Sequence, residues 1–65
     1  MFLETKNNQD NPVLIPLGRI KYITLYELAK RIYIYSDENK WEECFSSKEL
    51  AKTRFNEIKG FLNNL

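Results

Sequence analysis

The 65-residue chain has no histidine. Its absence removes the commonest general base, the commonest metal ligand and the side chain that titrates near neutral pH. There is a single cysteine, Cys44. That excludes an intramolecular disulfide and, with histidine missing, a structural zinc site within one chain; a cytoplasmic setting is expected. The two signs of charge nearly cancel, with ten Lys and Arg against nine Asp and Glu. A dedicated nucleic-acid binder usually carries a clear basic surplus, because phosphate contacts supply most non-specific affinity. No stretch approaches the ~20 apolar residues of a membrane span. The segment Met1-Phe2-Leu3-Glu4-Thr5-Lys6 has no basic run ahead of a long apolar one, so no secretory leader is expected. Catalytic patterns are missing too: Ser46 and Ser47 have no base within their motif, and consecutive Glu42 and Glu43 would point to opposite faces of a strand. The expectation is a non-enzymatic protein without a cofactor or metal.

What is present is a change of hydrophobic period. Ile20 to Tyr26 and Arg31 to Ser36 alternate at the strand period, whereas Leu50, Ala51, Phe55, Ile58 and Leu62 fall on one stripe at the helix period. The switch comes at Phe45-Ser46-Ser47-Lys48-Glu49-Leu50. Ser46 fits a helix N-cap, Glu49 can reach back to its amide, and Phe45 with Leu50 can form a hydrophobic staple. Gly60 either ends the helix as a C-cap or sits inside it.

The spacing predicts strands near 2–6, 13–16, 20–26, 31–36 and 41–45 and a helix near 47–60 in one domain. Asn7 to Pro12 reads as a polar turn, and Pro16 and Gly18 mark a bend. A four-residue loop, Glu27 to Lys30, sets Leu25 opposite Ile32 and Ile23 opposite Ile34. One sheet face then carries Ile23, Leu25, Ile32 and Ile34, and the other Tyr22, Thr24, Tyr33 and Tyr35. The register of 41–45 decides which face Trp41 and Phe45 join, and the isoleucine side is favoured because Phe45 must also meet the helix. The fold class is α+β: an antiparallel meander of about four strands packed against one C-terminal helix.

The segment Pro16-Leu17-Gly18-Arg19-Ile20-Lys21-Tyr22-Ile23, between a short first strand and a strand leading to Ser46-Ser47, resembles the small FlbD family. Val13 to Leu50 is also similar to the first half of a LytTR DNA-binding domain. These resemblances imply a regulatory role, flagellar gene regulation in the first case and DNA binding in the second. Thr24 stands where the first family has a glutamate, Asp37-Glu38-Asn39-Lys40 lacks its turn glycine, and the later LytTR segment has no counterpart here.

Five residues are candidates for interaction. Tyr22, Tyr33 and Tyr35, with Arg31 at their margin and Tyr26 nearby, make an aromatic-polar face opposite the core. Tyrosine and arginine are enriched in binding hot spots, but cross-strand aromatics also stabilise a merely solvated face. Arg54 falls inside the apolar helix stripe, between Leu50 and Ile58. It either lays its methylenes on the sheet and reaches out to Glu42 or Glu43, or holds a guanidinium at the helix–sheet edge for an external carboxylate or phosphate. Cys44 reads as a buried structural thiol rather than a nucleophile.

A chain this short buries only about 60% of its unfolded surface, so a second copy or a partner protein would add core. The functional expectation is a small protein-interaction or regulatory module, self-associating as a homo-oligomer or binding another protein. Two alternatives stand beside it. Arg19, Lys21, Lys30 and Arg31 with the tyrosines could bind single-stranded nucleic acid, or the chain could be a phage-type inhibitor that masks a host protein.

Overall fold

The computed structural model describes residues 1–65 and has an α+β fold. Strands β1 (Phe2–Lys6) and β2 (Pro12–Pro16) form a hairpin, and a short 3-10 turn, Leu17–Arg19, leads out of it. Strands β3 (Tyr22–Tyr26), β4 (Arg31–Tyr35) and β5 (Lys40–Cys44) form an antiparallel meander, followed by helix α1 (Lys48–Asn63). The strands belong to two sheets, β1-β2 and β3-β4-β5, rather than to one continuous meander. Where β1 passes β5, the Thr5 hydroxyl donates to Glu43 Oε2 at 2.6 Å, so a side chain makes a link between the two sheets.

Turn chemistry accounts for the hairpins. Asn7 Oδ1 accepts the amides of Gln9 and Asn11 at 2.9 and 3.0 Å, and Asp10 takes a left-handed backbone (φ 65°) that Asp tolerates. The β3–β4 loop is Glu27 to Lys30 as the spacing predicts, with Leu25 opposite Ile32 and Ile23 opposite Ile34. The Lys30 amide closes it on the Glu27 carbonyl at 3.1 Å, which places Lys30 itself at φ 57°.

Pairing of Ile34 with Trp41 puts Trp41 on the isoleucine face, where it packs against the core beside Phe45. The core is small: Leu3 and Ile15 from the hairpin, Leu17 from the turn, Ile32 and Ile34 from β4, and Ile58 from the helix. Helix α1 lies across this face of β3 and β4, leaving the opposite face of the meander uncovered.

The helix start differs by one residue from the sequence expectation. Ser47, not Ser46, is the cap, with its hydroxyl accepting the Leu50 amide at 3.2 Å. The Phe45 amide is bonded to the Lys30 carbonyl at 2.9 Å, so Phe45 still belongs to the sheet ladder and Ser46 is needed as a spacer. The shift turns Ala51 inward (0% exposed) and leaves Leu50 half exposed, so the Phe45–Leu50 staple does not form. Cys44 is exposed rather than buried, because the register that sends Trp41 inward sends Cys44 to the other face.

Gly60 is an interior helical residue, and the helix continues to Asn63. A Cβ at Gly60 would meet nothing within 4 Å. Gly60→Ala should therefore raise stability by about 0.5–1 kcal/mol through reduced backbone freedom of the unfolded chain, read as a higher urea midpoint at unchanged slope.

Candidate functional site

The uncovered face of the meander is a grid set by the two strand registers. Tyr22, Tyr35 and Lys40 form one row, Thr24, Tyr33 and Glu42 the next, and Tyr26, Arg31 and Cys44 the third. Thus Tyr22, Arg31, Tyr33 and Tyr35 share one surface, and Tyr26 joins them. The rings touch in pairs: Tyr22 stacks on Tyr35 at 4.3 Å between centroids, and Tyr26 meets Tyr33 edge-on at 5.3 Å. Lys40 Nζ lies 5.0 Å from the Tyr33 ring centre, a cation–π arrangement. A shallow depression of about 450 Å³ is lined by Tyr26, Ala29, Arg31, Tyr33, Tyr35 and Lys40.

Charge on this face centres on the Arg31–Glu42 ion pair beside Tyr33. Arg31 Nη1 donates to Glu42 Oε2 at 2.8 Å across the strand pair. The Tyr33 hydroxyl first, and the Arg31 guanidinium after it, hold the Glu42 carboxyl below the usual carboxylate range despite an opposing desolvation effect. The same two neighbours, Tyr33 and then Glu42, keep Arg31 charged to still higher pH. Desolvation, with Tyr26 and Tyr22 adding to it, pushes the Tyr35 phenol up. The face therefore presents aromatic rings interleaved with Arg31, Lys40 and Glu42.

Arg54 is not on this face. It lies where the helix, β5 and the hairpin meet, and its donors are committed inside the chain. Nε and Nη2 grip the two Glu43 oxygens at 2.9 and 3.0 Å, Nη2 also reaches the Glu4 carbonyl at 2.9 Å, and Nη1 bonds Glu57. Arg54 and Glu43 keep only 21% and 14% of their side-chain surface exposed, and Thr5 is buried beside them. Hydrogen bonding to Glu43 above all raises the guanidinium pKa further. Both residues line a polar groove of about 640 Å³ beside the β1–β2 turn.

Of the two acidic partners the sequence offers Arg54, the structure selects Glu43, and Glu42 goes to the tyrosine face with Lys40 and an exposed Cys44; Lys40 and the Thr5 of the polar link are not among the sequence candidates. Alternation carried a signal for most of them. Once Trp41 faces the isoleucines, Glu43 must face them too, and Lys40, Glu42 and Cys44 must join the tyrosines. A carboxylate forced inward needs a cation, and Arg54 is the one in the apolar helix stripe.

No group of three or more His, Cys, Asp or Glu side chains is placed to hold a metal ion, and no helix is long and apolar enough to cross a membrane. No protein-family model matches the chain, nor does any curated protein or solved structure.

Removing Arg54 leaves a largely buried carboxylate without its partner. Arg54→Met should cost about 2–4 kcal/mol in urea unfolding, and Arg54→Met with Glu43→Leu and Thr5→Val should recover most of that loss, since an apolar replacement of the whole cluster orphans no polar group. Glu42 gives a separate expectation in acid. Its folded-state pKa is depressed, so its contribution is complete above the ordinary carboxylate value of about 4.3 and is lost as pH falls through the lower folded value. Thermal melts from pH 6 to 2 should show a shallower acid loss in Glu42→Gln than in wild type.

Proposed function

We propose that this chain is a small non-enzymatic interaction or regulatory module that acts by association, with the tyrosine face as its recognition surface and a second copy of the chain or another protein as its partner. The observation that carries this reading is the single grid of tyrosines, Arg31, Lys40 and Glu42 left uncovered by the helix. Tyrosine offers large, rigid, amphipathic area at low entropic cost, and arginine adds directional donors. Only eight residues of the chain are buried, so association would add apolar burial that the monomer lacks. Arg54 has its donors on its own chain and is assigned to holding the elements together rather than to a partner.

One arrangement favours single-stranded nucleic acid as a second reading: Lys40 and Arg31 flank rings on which bases could stack. Glu42 on the same face opposes it, because that carboxylate already takes Arg31. Steeply salt-dependent binding of a mixed-sequence oligonucleotide would support this reading, and none at low salt would remove it.

The main reading predicts that Tyr33→Ser combined with Tyr35→Ser abolishes association in sedimentation velocity while far-UV circular dichroism keeps its shape. Unchanged association by the double variant would exclude the tyrosine face as the interface.

A further inference from the structure

The two sheets have four outer edges, and three of them are guarded. The edges of β1 and β5 face one another across the Thr5–Glu43 link. Strand β2 carries Pro12 and Pro16 at its ends, and proline blunts an edge by removing a donor. Strand β3 is bonded only to β4 and carries neither proline nor charge. Its outward N–H and C=O groups are free to template another strand.

The β3 sequence reads nearly the same in both directions about Thr24: Tyr22-Ile23-Thr24-Leu25-Tyr26. We infer that β3 pairs antiparallel with β3 of a second copy, about a two-fold axis through Thr24, joining two meanders into one six-stranded sheet. This symmetry places Thr24 opposite the partner's Thr24, Tyr22 opposite the partner's Tyr26, and Ile23 opposite the partner's Leu25. Each pair is of a kind that stabilises neighbouring strands, and no like charges meet. The flanks fit as well. Just beyond the strand Lys21 comes opposite the partner's Glu27, twice in the dimer. Each already has an exposed ion-pair partner in its own chain, Asp37 at 3.1 Å from Lys21 and Lys52 at 3.0 Å from Glu27, so the charges are unlike across the seam but shared with those partners. Lys21 and Glu27 bracket the strand: the Lys21 amide still bonds the β4 carbonyl of Tyr35, and the Glu27 carbonyl begins the turn. Ile23 and Leu25, only half buried at the open edge, gain cover. Leu28 is 96% exposed in the adjoining turn and lies at the end of the strand where the second copy arrives.

The inference deepens the proposed function, and its consequence for recognition rests on that reading. Tyr22 already stacks on Tyr35, and Tyr26 already meets Tyr33. Pairing at β3 would continue the row as Tyr35, Tyr22, the partner's Tyr26 and the partner's Arg31, with the partner's Tyr33 meeting that Tyr26 on the diagonal, twice by symmetry. One uninterrupted aromatic surface results, still open to a further ligand. Association through the edge therefore draws on the same tyrosines without burying their outer face.

Sedimentation velocity from low micromolar to several hundred micromolar should show the 7.8 kDa chain moving toward twice that mass. Lys21→Glu sets like charges against each other at both flanks and should weaken dimerisation about tenfold, whereas Asp37→Asn, which disturbs only the ion pair of Lys21 within its own chain, should leave it unchanged. Adding Glu27→Lys to Lys21→Glu should restore the wild-type constant, a rescue specific to this register. Far-UV circular dichroism would confirm that the variants fold. Cys44 gives an independent readout, since it lies on the tyrosine face on β5, two strands away from the edge. Its maleimide reaction rate should be the same in monomer and dimer. A chain monomeric throughout, or a dimer indifferent to both Lys21→Glu variants, would overturn the edge pairing. A dimer that shields Cys44 and is lost only in the Tyr33→Ser, Tyr35→Ser variant would overturn it while leaving the tyrosine-face reading intact. Charge rescue in a dimer that also survives those serines would support the edge and exclude the tyrosine face as the self-association surface, leaving it to another protein.

Discussion

The bidentate grip of Arg54 on Glu43 is the contact at which helix, meander and hairpin meet. The core is a single small cluster, and three bodies must be held around it: the hairpin, the meander and the helix. Glu43 supplies the meander's link, Arg54 the helix's, and Thr5 with the Glu4 carbonyl the hairpin's. A buried ion pair is weak ground for net stability, because desolvation opposes the Coulombic gain. Its value here is geometric. A planar guanidinium that must satisfy two carboxylate oxygens and a carbonyl admits few orientations of the helix over the sheet, whereas isoleucines alone would tolerate several.

That constraint shapes the surface as well. Because Glu43 and Trp41 point inward together, Lys40, Glu42 and Cys44 are sent to the outer face and complete a three-by-three grid with the residues of β3 and β4. The tyrosines are preorganised by one another, through one stacked and one edge-on pair. A surface already ordered in this way would lose little further side-chain freedom on meeting a partner, which is the condition for affinity from a small area. With α1 covering only the isoleucine face, the chain keeps its aromatic face and its β3 edge side by side.

Much of the fold was legible in the residue pattern, and where it was not, the reason is physical. Alternation at residues 22–26 and 31–35 and a four-residue loop are sufficient to set the hairpin register, because a slip of one residue would send Ile32 and Ile34 into water. The helix stripe was equally plain. The cap was displaced by one because two adjacent serines offer the same chemistry, and the choice depends on how far the sheet ladder runs, which a bond from Phe45 to Lys30 decides. Cys44 departs from its sequence expectation for a related reason: residue type favours burial, but strand parity overrides it. Tyr22, Arg31, Tyr33 and Tyr35 were legible as one face from parity alone, while Lys40 and Glu42 required the β5 register.

By itself the sequence determined the local periods, the turns and the two chemical faces of the meander, since each depends on residues a few positions apart. Only the tertiary structure decided that the strands divide into two sheets, that Arg54 chooses Glu43 over Glu42, and that β3 is left as the unguarded edge. Those outcomes depend on groups separated by tens of residues, such as Thr5 and Glu43, whose meeting is governed by packing around a shared core and not by local preference.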